Sequence, residues 1–405
     1  MKRLFILSAA VAALASCSNS EVITEVNEPQ VPDKAIAFET FSSNATREGA
    51  ENSGQTKTDG LEEHHNNFQV WGYKDVQPDY VFNGTEVKYE NLGWAYSPIR
   101  FWDKAAKFYY FYACAPSTAN ATTRFKLNKM NNDPKQENEY FTLSDVKLVN
   151  ETLSASTTLT ESYRHDNAQN IDYMIASQCN IATSSSSQAV QLDFNHILSR
   201  LNIGVKKASK TEQDNPFNNA IVTLMELEVN KMKSTGSFDE SKAPTSGSLN
   251  EGTTVRWDSP SGELCYTGAV DAPNGTVVNT SETFFLQSLV IPQNVNYENV
   301  QLDGTVGGTS TRPEQAYLYI KYKIQANADD TEGETFVRYI NLAQAFGSST
   351  EAIAFNEGWQ NTLHITIDAD VISFTADVYK WADNKTYELN SDTGASLQTS
   401  TSGGN

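Results

Sequence analysis

The sequence has few of the residues that cross-link a chain or give it a positive charge. Its 405 residues include four cysteines, and 30 basic side chains stand against 50 acidic ones. Apart from one near the amino terminus, the cysteines Cys114, Cys179 and Cys265 are far apart and lack CxxC spacing, so they predict no disulfide framework. No cluster of lysine and arginine interrupts the acidic excess, so nucleic acid is not an expected partner.

Motifs for catalysis and for metal binding are also missing from the sequence. It contains no HExxH, no Cys/His cluster, no P-loop and no G-x-S-x-G, and its five histidines lack neighbouring ligands at a workable spacing. The acidic pair Asp329 and Asp330 does not have EF-hand spacing. The sequence therefore predicts a protein that is not an enzyme and that holds no cofactor or metal ion.

The amino terminus carries an apolar run at residues 4–15 that is too short to span a bilayer as a helix. Two basic residues precede the run. Its last two residues, Leu14 and Ala15, and then Ser16 directly precede Cys17, as in the bacterial lipobox, whose cysteine takes a diacylglycerol before cleavage. We expect a signal peptide at 1–16 and acylation of Cys17, with membrane lipid as the partner of the acyl chains. An ordinary signal sequence followed by an incidental cysteine is the alternative.

The rest of the chain divides by composition. Residues 17–34 are polar and contain two prolines, which is typical of a flexible lipid tether. The part that follows is longer than one hydrophobic core usually serves, so two domains are expected. We place them at 35–207 and 220–384, with a polar linker at 208–219 and a polar tail at 385–405.

Short segments rich in Val, Ile, Phe, Tyr and Thr recur between turn-forming residues, a pattern typical of antiparallel β-sandwiches. In 318–324 apolar residues alternate with Tyr319, Lys321 and Lys323, which predicts one buried and one solvated face. One short helix is predicted at 341–346. The fold is therefore predicted to be all-β, with strands at 36–41, 68–73, 94–96, 107–113, 172–175, 190–194, 200–206, 221–229, 284–291, 316–325, 335–340, 362–368 and 372–378.

Several segments, spread in order along the chain, carry a resemblance to a known family. They are FQVWGY at 68–73, the VFNG turn at 81–84, WAYSPIRFW at 94–102, KFYYFYACAP at 107–116, FNHILSRL at 194–201 and the closing stretch at 359–381. Together with the lipobox, this series resembles the fimbrillin family of Bacteroidetes over nearly the whole chain.

The resemblance implies two tandem antiparallel β-sandwich domains of transthyretin-like type, exported as an outer-membrane lipoprotein and assembled into fimbriae at the cell surface. In that family an arginine-specific protease removes the first strand, and a segment of another fimbrial subunit replaces it. A sheet that has lost a strand exposes unpaired backbone groups and an apolar groove, which an incoming strand satisfies. The resemblance therefore implies a structural or adhesive fimbrial subunit, with a ligand on a host or bacterial surface as a further partner.

The processing site follows from the same resemblance. The removable strand contains Ile36, Phe38 and Phe41, and the cleavage site is Arg47, in the polar segment after that strand. Lys57 is the alternative site for a trypsin-like protease. A further alternative is that Arg47 is a plain surface arginine, because anchor-type members of the family stay uncleaved.

The donor strand that the family pattern requires is weak in this sequence. A donor needs alternating apolar residues over several positions, and only Tyr387 and Leu389 in the tail have that spacing. This departure from the family pattern argues against a stalk role, in which every subunit donates a strand. It leaves a tip, an accessory or a non-polymerising role open.

The tryptophans distinguish the leading function from a second one. The predicted strands contain or adjoin five of them, which favours packing in the core: Trp71, Trp94, Trp102, Trp359 and Trp381. Exposed tryptophans would instead stack on sugar rings. The alternative function is therefore a non-polymerising surface lipoprotein that binds glycans.

Overall fold

The computed structural model describes residues 35–42, 61–63, 65–76, 79–118, 121–129, 139–151, 155–157, 170–182, 188–212, 215–242, 256–298, 312–369, 372–380 and 388–390. Strands dominate these residues, so the predicted all-β class is confirmed. The predicted helix is present as one turn, α1 (Leu342–Ala345), which begins where the Asn341 side chain accepts a hydrogen bond from the backbone of Gln344. No helix of the described residues is long and apolar enough to cross a membrane.

The strands of the described residues are numbered in chain order. They are β1 (Phe38–Ser42), β2 (Asn67–Lys74), β3 (Tyr80–Glu90), β4 (Gly93–Ala95), β5 (Phe108–Ala115), β6 (Phe125–Asn128), β7 (Tyr140–Lys147), β8 (Met174–Ala182), β9 (Val190–His196), β10 (Ser199–Lys207), β11 (Ile221–Met232), β12 (Thr235–Asp239), β13 (Trp257–Ser261), β14 (Leu264–Thr267), β15 (Thr276–Val278), β16 (Thr283–Val290), β17 (Gln293–Val295), β18 (Tyr317–Gln325), β19 (Glu334–Asn341), β20 (Ile353–Phe355), β21 (Trp359–Ile367), β22 (Ile372–Lys380) and β23 (Glu388–Asn390). Short 3-10 turns lie at Leu61–Glu63 and Pro216–Asn219.

A seven-stranded sheet, in the order β1-β9-β8-β5-β2-β3-β4, dominates the amino-terminal part. Its neighbouring strands are antiparallel except for β1, which runs parallel to β9. The sheet is strongly curled, because Phe38 on β1 at one edge contacts Phe82 on β3 near the other edge, with ring centroids 5.5 Å apart. This curl encloses an aromatic core on one face of the sheet.

The other face of this sheet packs against a four-stranded sheet in the order β13-β12-β7-β6. Tyr110 and Tyr112 from the first sheet meet Phe141 and Phe238 from the second in one buried cluster. The seven-stranded sheet is therefore buried on both faces. This explains why nearly every residue of β5 is buried.

Two five-stranded sheets form the carboxy-terminal part. One has the order β16-β10-β21-β22-β23, and the other has the order β14-β11-β18-β19 with β15 also beside β11. Ile203 and Leu363 of the first sheet share one core cluster with Val222 and Leu318 of the second. A two-stranded ladder of β17 and β20 completes this part of the fold.

Strands on each side of the linker expected at 208–219 pair with strands of the other part of the fold. Strand β10, which lies before that segment, pairs with β16 and β21 of the carboxy-terminal part. Strands β12 and β13, which lie after it, form a sheet with β7 and β6 of the amino-terminal part. The chain thus crosses between the two parts on both sides of the polar segment, because long-range pairing and not local composition decides where each strand lies.

The Val-Phe-Asn-Gly segment at 81–84, predicted as a turn, instead lies inside β3. Its pairing with β2 shifts by one residue between Val70 and Trp71, which leaves Gly84 in a bulge with a φ of 67°. Glycine adopts this left-handed conformation without steric strain. The prediction of a turn was therefore wrong, because the Asn-Gly pair serves a bulge within an 11-residue strand.

Candidate functional site: the first strand and its aromatic groove

The side chains of the first strand alternate between the core and the solvent. Ile36, Phe38 and Thr40 are buried, whereas Ala37 and Glu39 between them are exposed. The alternation begins just before β1, at residues that the sequence predicts as part of the removable strand. The third apolar residue predicted there, Phe41, lies opposite Asp193 in the ladder, and its side chain is outside the described part.

Phe38 occupies a groove lined by aromatic rings. Its ring centroid lies 5.7 Å from that of Phe68, 5.5 Å from Phe82, 5.8 Å from Tyr96 and 5.9 Å from Phe111, all in edge-on arrangements. Aromatic pairs of this geometry contribute roughly 0.5–1.5 kcal/mol each beyond the area they bury. We call these four rings the Phe38 groove. Loss of β1 would expose it to water.

The backbone of β1 is paired on one side only. Its parallel ladder with β9 extends from Phe38 opposite Val190 to Ser42 opposite Phe194, and no other described strand pairs with it. Just before β1, the Ile36 amide donates to the carbonyl of Arg100 at 2.9 Å. The hydroxyl of Tyr96 donates to the carbonyl of Ile36 at 2.6 Å. Strand β1 is therefore an edge strand that one backbone ladder and a few local contacts hold in place.

Thr40 makes β1 an imperfect fit to its own groove. Its hydroxyl oxygen is buried and has no hydrogen-bond partner among the described residues. A buried hydroxyl without a partner costs about 1–3 kcal/mol. An incoming strand with an apolar side chain at this position would avoid that penalty. Thr40 is not among the functional residues predicted from the sequence, although its alternation with Ile36 and Phe38 assigns it to the same face.

The other residues predicted to be functional are only partly placed by the structure. Cys17, Arg47, Lys57 and Tyr387 lie outside the described residues. Leu389 belongs to β23, which adds to the edge of β22 with Leu389 opposite Ala376. The tail strand and the Phe38 groove therefore belong to different sheets of the same chain.

Buried ionisable groups outside the groove form a structural network around Asp172. Its carboxylate lies 2.8 Å from Nδ1 of His196, and its backbone carbonyl lies 2.7 Å from Nε2 of His65. All three residues are buried. Cys114 is also fully buried, and that burial raises the pKa of its thiol, so it packs as a protonated core residue. In the part of the chain that the structure describes, no group of three or more His, Cys, Asp or Glu residues could hold a metal ion.

His364 lies between two carboxylates in the sheet that contains β10. Its Nδ1 contacts Glu282 at 2.8 Å, and its Nε2 contacts Asp377 at 3.1 Å. Burial lowers the pKa of His364, but hydrogen bonds to Asp377 and Glu282 outweigh it and raise the pKa to about 9, from its usual 6.5. The imidazolium therefore donates to both carboxylates at neutral pH.

This arrangement predicts a loss of stability in mildly alkaline solution. Because the pKa of His364 is higher in the folded chain, its stabilising contribution is complete below pH 6.5 and is lost as the pH rises through about 9. We expect His364→Gln to remove on the order of 1–3 kcal/mol from the free energy of unfolding at pH 6 and little at pH 10. Urea denaturation of both proteins between pH 6 and pH 10 measures this difference in the free energy of unfolding. Parallel profiles for the parent and the variant would contradict the assignment.

An all-β fold whose edge strand is seated in an apolar groove has the features that recognition by strand addition uses. The chain belongs to the fimbrillin-like family, whose model matches residues 55–381. The chain is therefore a member of a fimbrial protein family. The resemblance read from the sequence is thereby confirmed.

Two solved structures illustrate the likeness. A fimbrial protein from Bacteroides vulgatus is 14% identical, with 86% of this chain and 100% of that chain covered and a TM-score of 0.45. The tip fimbrial protein Mfa3 from Porphyromonas gingivalis, with a carboxy-terminal truncation, is 9% identical, with 86% and 100% covered and a TM-score of 0.38. None of the curated proteins matches the chain significantly.

Proposed function

We propose that this chain is a structural or adhesive fimbrial subunit, exported as an outer-membrane lipoprotein and assembled by protease-triggered strand exchange. The observation that carries the proposal is the seating of Phe38 among four aromatic rings, on an edge strand with one backbone ladder. Such a strand can leave without disturbing the rest of the sheet. The groove it leaves has both the apolar surface and the unpaired backbone that another subunit's strand needs.

Cleavage after Arg47 is the proposed trigger. Arg47 lies in the sequence between β1, which ends at Ser42, and the 3-10 turn that begins at Leu61. A cut there leaves β1 joined to the body by noncovalent contacts alone. Those contacts persist until a competing strand displaces them, and the unpartnered hydroxyl of Thr40 lowers the barrier to displacement by a strand with an apolar residue at that position.

The chain is better suited to accept a strand than to donate one. A donor that fills the groove must supply apolar residues at the positions of Ile36 and Phe38, and an apolar residue at that of Thr40 improves the fit. Its own tail offers Tyr387 and Leu389 only. We therefore propose a tip or accessory position that receives a strand from a neighbouring subunit.

The glycan-binding alternative gains no support from the tryptophans of the described residues. Trp102 and Trp257 are buried. The other three described tryptophans, Trp71, Trp94 and Trp359, are partly buried and pack against the core clusters. Each of the five is buried or packs against a core cluster, so the fimbrial proposal is preferred.

The lipid anchor can be tested by replacing its cysteine. We expect the parent chain to carry acyl groups on Cys17 and to fractionate with membranes, because several acyl chains hold a protein firmly. Cys17→Ala should carry no lipid label and should be released or mislocalised, while Cys265→Ala, a change at a partly exposed cysteine, should behave as the parent. Membrane retention of Cys17→Ala, with no lipid label in the parent, would rule out the anchor.

A further inference from the structure

The exposed large apolar side chains of the described residues are concentrated at one end of the seven-stranded sheet. Strands β1, β3, β5 and β9 all run in the same direction, so they begin at the same end. Of the six exposed large apolar residues, Tyr80 begins β3, Phe108 begins β5, and Ile99 and Phe101 lie in the segment that leads into β5. Ile99 is 54% exposed and Phe101 is 52% exposed.

The expected lipid tether joins the fold at this same end. Ala35, the first described residue, forms an isolated bridge with Phe101, and the amide of Ile36 donates to the carbonyl of Arg100. Residues 17–34 lie between the expected acylated cysteine and Ala35, and a chain of that length spans at most roughly 60 Å. An acyl anchor at Cys17 therefore keeps this end of the sheet within that distance of the membrane surface.

The opposite end of the sheet leads into the rest of the protein, with the exposed Leu92 in the turn between β3 and β4 beside it. Strand β9 leaves the sheet there, and Ile197 and Leu198 lead directly into β10 of the carboxy-terminal part. Both residues pack in a cluster with Leu289 and Ile291. The end that carries Ile99 and Phe101 is therefore the one that points away from the carboxy-terminal sheets.

The segment that leads into β5 differs in charge from the whole chain, and Asp75 and Asp79 are the acidic residues that lie beside it at this end. The net charge of the protein is −20, yet residues 97–108 contain Arg100, Lys104 and Lys107 and a single acidic residue, Asp103. Asp103 is already paired with Lys74 at 2.5 Å. Basic side chains interspersed with exposed aromatic and aliphatic ones are the composition that binds the headgroup region of an anionic bilayer.

We infer that this end of the protein, here called the tether face, rests on an anionic phospholipid surface while the chain is anchored. The tether face consists of Tyr80, Ile99, Arg100, Phe101, Lys107 and Phe108. It orients the protein so that the carboxy-terminal sheets point away from the membrane. The inference goes beyond the proposed function and rests on it in one respect, since the lipid tether supplies the proximity.

The orientation has a consequence for processing. The contacts of the tether face are weak by themselves, because single exposed apolar residues and a few basic ones bind bilayers only marginally. Cleavage after Arg47 and loss of β1 remove the acyl anchor together with the strand. The tether face alone then binds the membrane weakly and reversibly, so the subunit can dissociate from the surface as it accepts a new strand.

Vesicle binding by the full mature chain carrying Cys17→Ala, which has no acyl group, tests the tether face directly. We expect it to co-sediment with vesicles of phosphatidylethanolamine and phosphatidylglycerol, to bind phosphatidylcholine vesicles less, and to dissociate as salt rises from about 50 to about 500 mM. Ile99→Ser combined with Phe101→Ser should lower the partition coefficient about tenfold, because two exposed apolar side chains lose their burial in the bilayer. Arg100→Glu combined with Lys107→Glu should lower it as much.

Matched controls lie elsewhere on the surface. Val277→Ser removes an exposed apolar side chain from the carboxy-terminal part, and Lys147→Glu reverses an exposed charge outside the tether face. Both should bind as the parent does. All of these substitutions are at exposed positions, so unchanged melting curves verify that each variant is folded. The double glutamate variant tests the tether face independently of the double serine variant.

Three results would overturn the inference. They are no binding of the parent to anionic vesicles, equal binding by the parent and by both double variants, and self-association of the parent that Phe101→Ser abolishes in the absence of lipid. The last would show that the face joins copies of the chain. A native protein that carries no acyl group on Cys17, together with vesicle binding by the Cys17→Ala chain, would remove the lipid anchor from the proposed function. It would leave the inference about the tether face unchanged.

Discussion

Replacing Phe111 with alanine is expected to lower the free energy of unfolding by about 3–5 kcal/mol. Phe111 is fully buried on β5, between β2 and β8 in the middle of the seven-stranded sheet. Its ring lies 5.9 Å from that of Phe38, 6.2 Å from Phe82 and 6.1 Å from Trp102. Rings held by separate strands cannot close the cavity, so most of the lost contact energy appears as lost stability.

The control for this prediction lies on the same strand. Phe108, the first residue of β5, is exposed. Phe108→Ala should therefore lower the free energy of unfolding much less than Phe111→Ala does. Phe111→Leu should retain most of the stability, because it keeps much of the buried volume. Urea denaturation of all three variants measures the differences. An unaltered midpoint for Phe111→Ala would show that the aromatic core is not packed as described.

Replacing Arg47 with alanine is expected to abolish polymer formation while leaving the fold and its melting curve nearly unchanged. In the uncut chain, Ile36 and Phe38 complete the sheet, so no groove is open to a second subunit. The uncut protein should therefore be a monomer. Lys57→Ala is the matched control, since it removes the other basic residue that a trypsin-like protease could use and should still allow assembly after an arginine-specific cut.

The time course of assembly follows from the contacts of β1. A nicked species should appear first, because the ladder with β9 and the packing of Phe38 survive the cut. Complexes with a second fimbrial subunit that supplies a donor strand should appear slowly, as that strand exchanges in. Size-exclusion chromatography after limited proteolysis follows both species. Assembly of Arg47→Ala at the normal rate, with the chain shown to be uncut after Lys57 as well, would contradict strand exchange.

Local patterns in the sequence were sufficient to predict the strands that are buried on one face. In β18, Leu318, Ile320 and Tyr322 are buried, while Lys321 and Lys323 are partly exposed, as their alternation predicts. The same reasoning underestimates β10. Its residues are almost all buried, and the polar ones among them have partners on the neighbouring strands: Arg200 donates to Gln287 of β16, and Asn202 donates to Thr362 of β21. Local alternation carries no information about such partners.

Several strands have no signal in their own residues. Strands β12 and β13 have the sequences TGSFD and WDSPS, which contain turn-forming residues and few apolar ones. They are strands because β7 offers them a partner edge, so tertiary pairing overrides local propensity. This is also why the domain boundary could not be read from composition.

The candidate site was predictable in part. The sequence assigned Ile36 and Phe38 to one apolar strand, and the structure buries both. The four aromatic partners of Phe38 could not be predicted, because they come from three strands and a loop that meet only through the curl of the sheet. Local alternation gives the face of a side chain, whereas its partners depend on long-range register.

The central claim, that β1 is removed and its groove refilled, is tested most directly by mass spectrometry of assembled fimbriae from the native outer membrane. The account predicts polymerised chains that begin at Glu48 and contain no peptide from 36–42, alongside an unpolymerised precursor that carries acyl groups on Cys17. Fimbriae whose subunits retain Ile36 and Phe38 in an unbroken chain would contradict it.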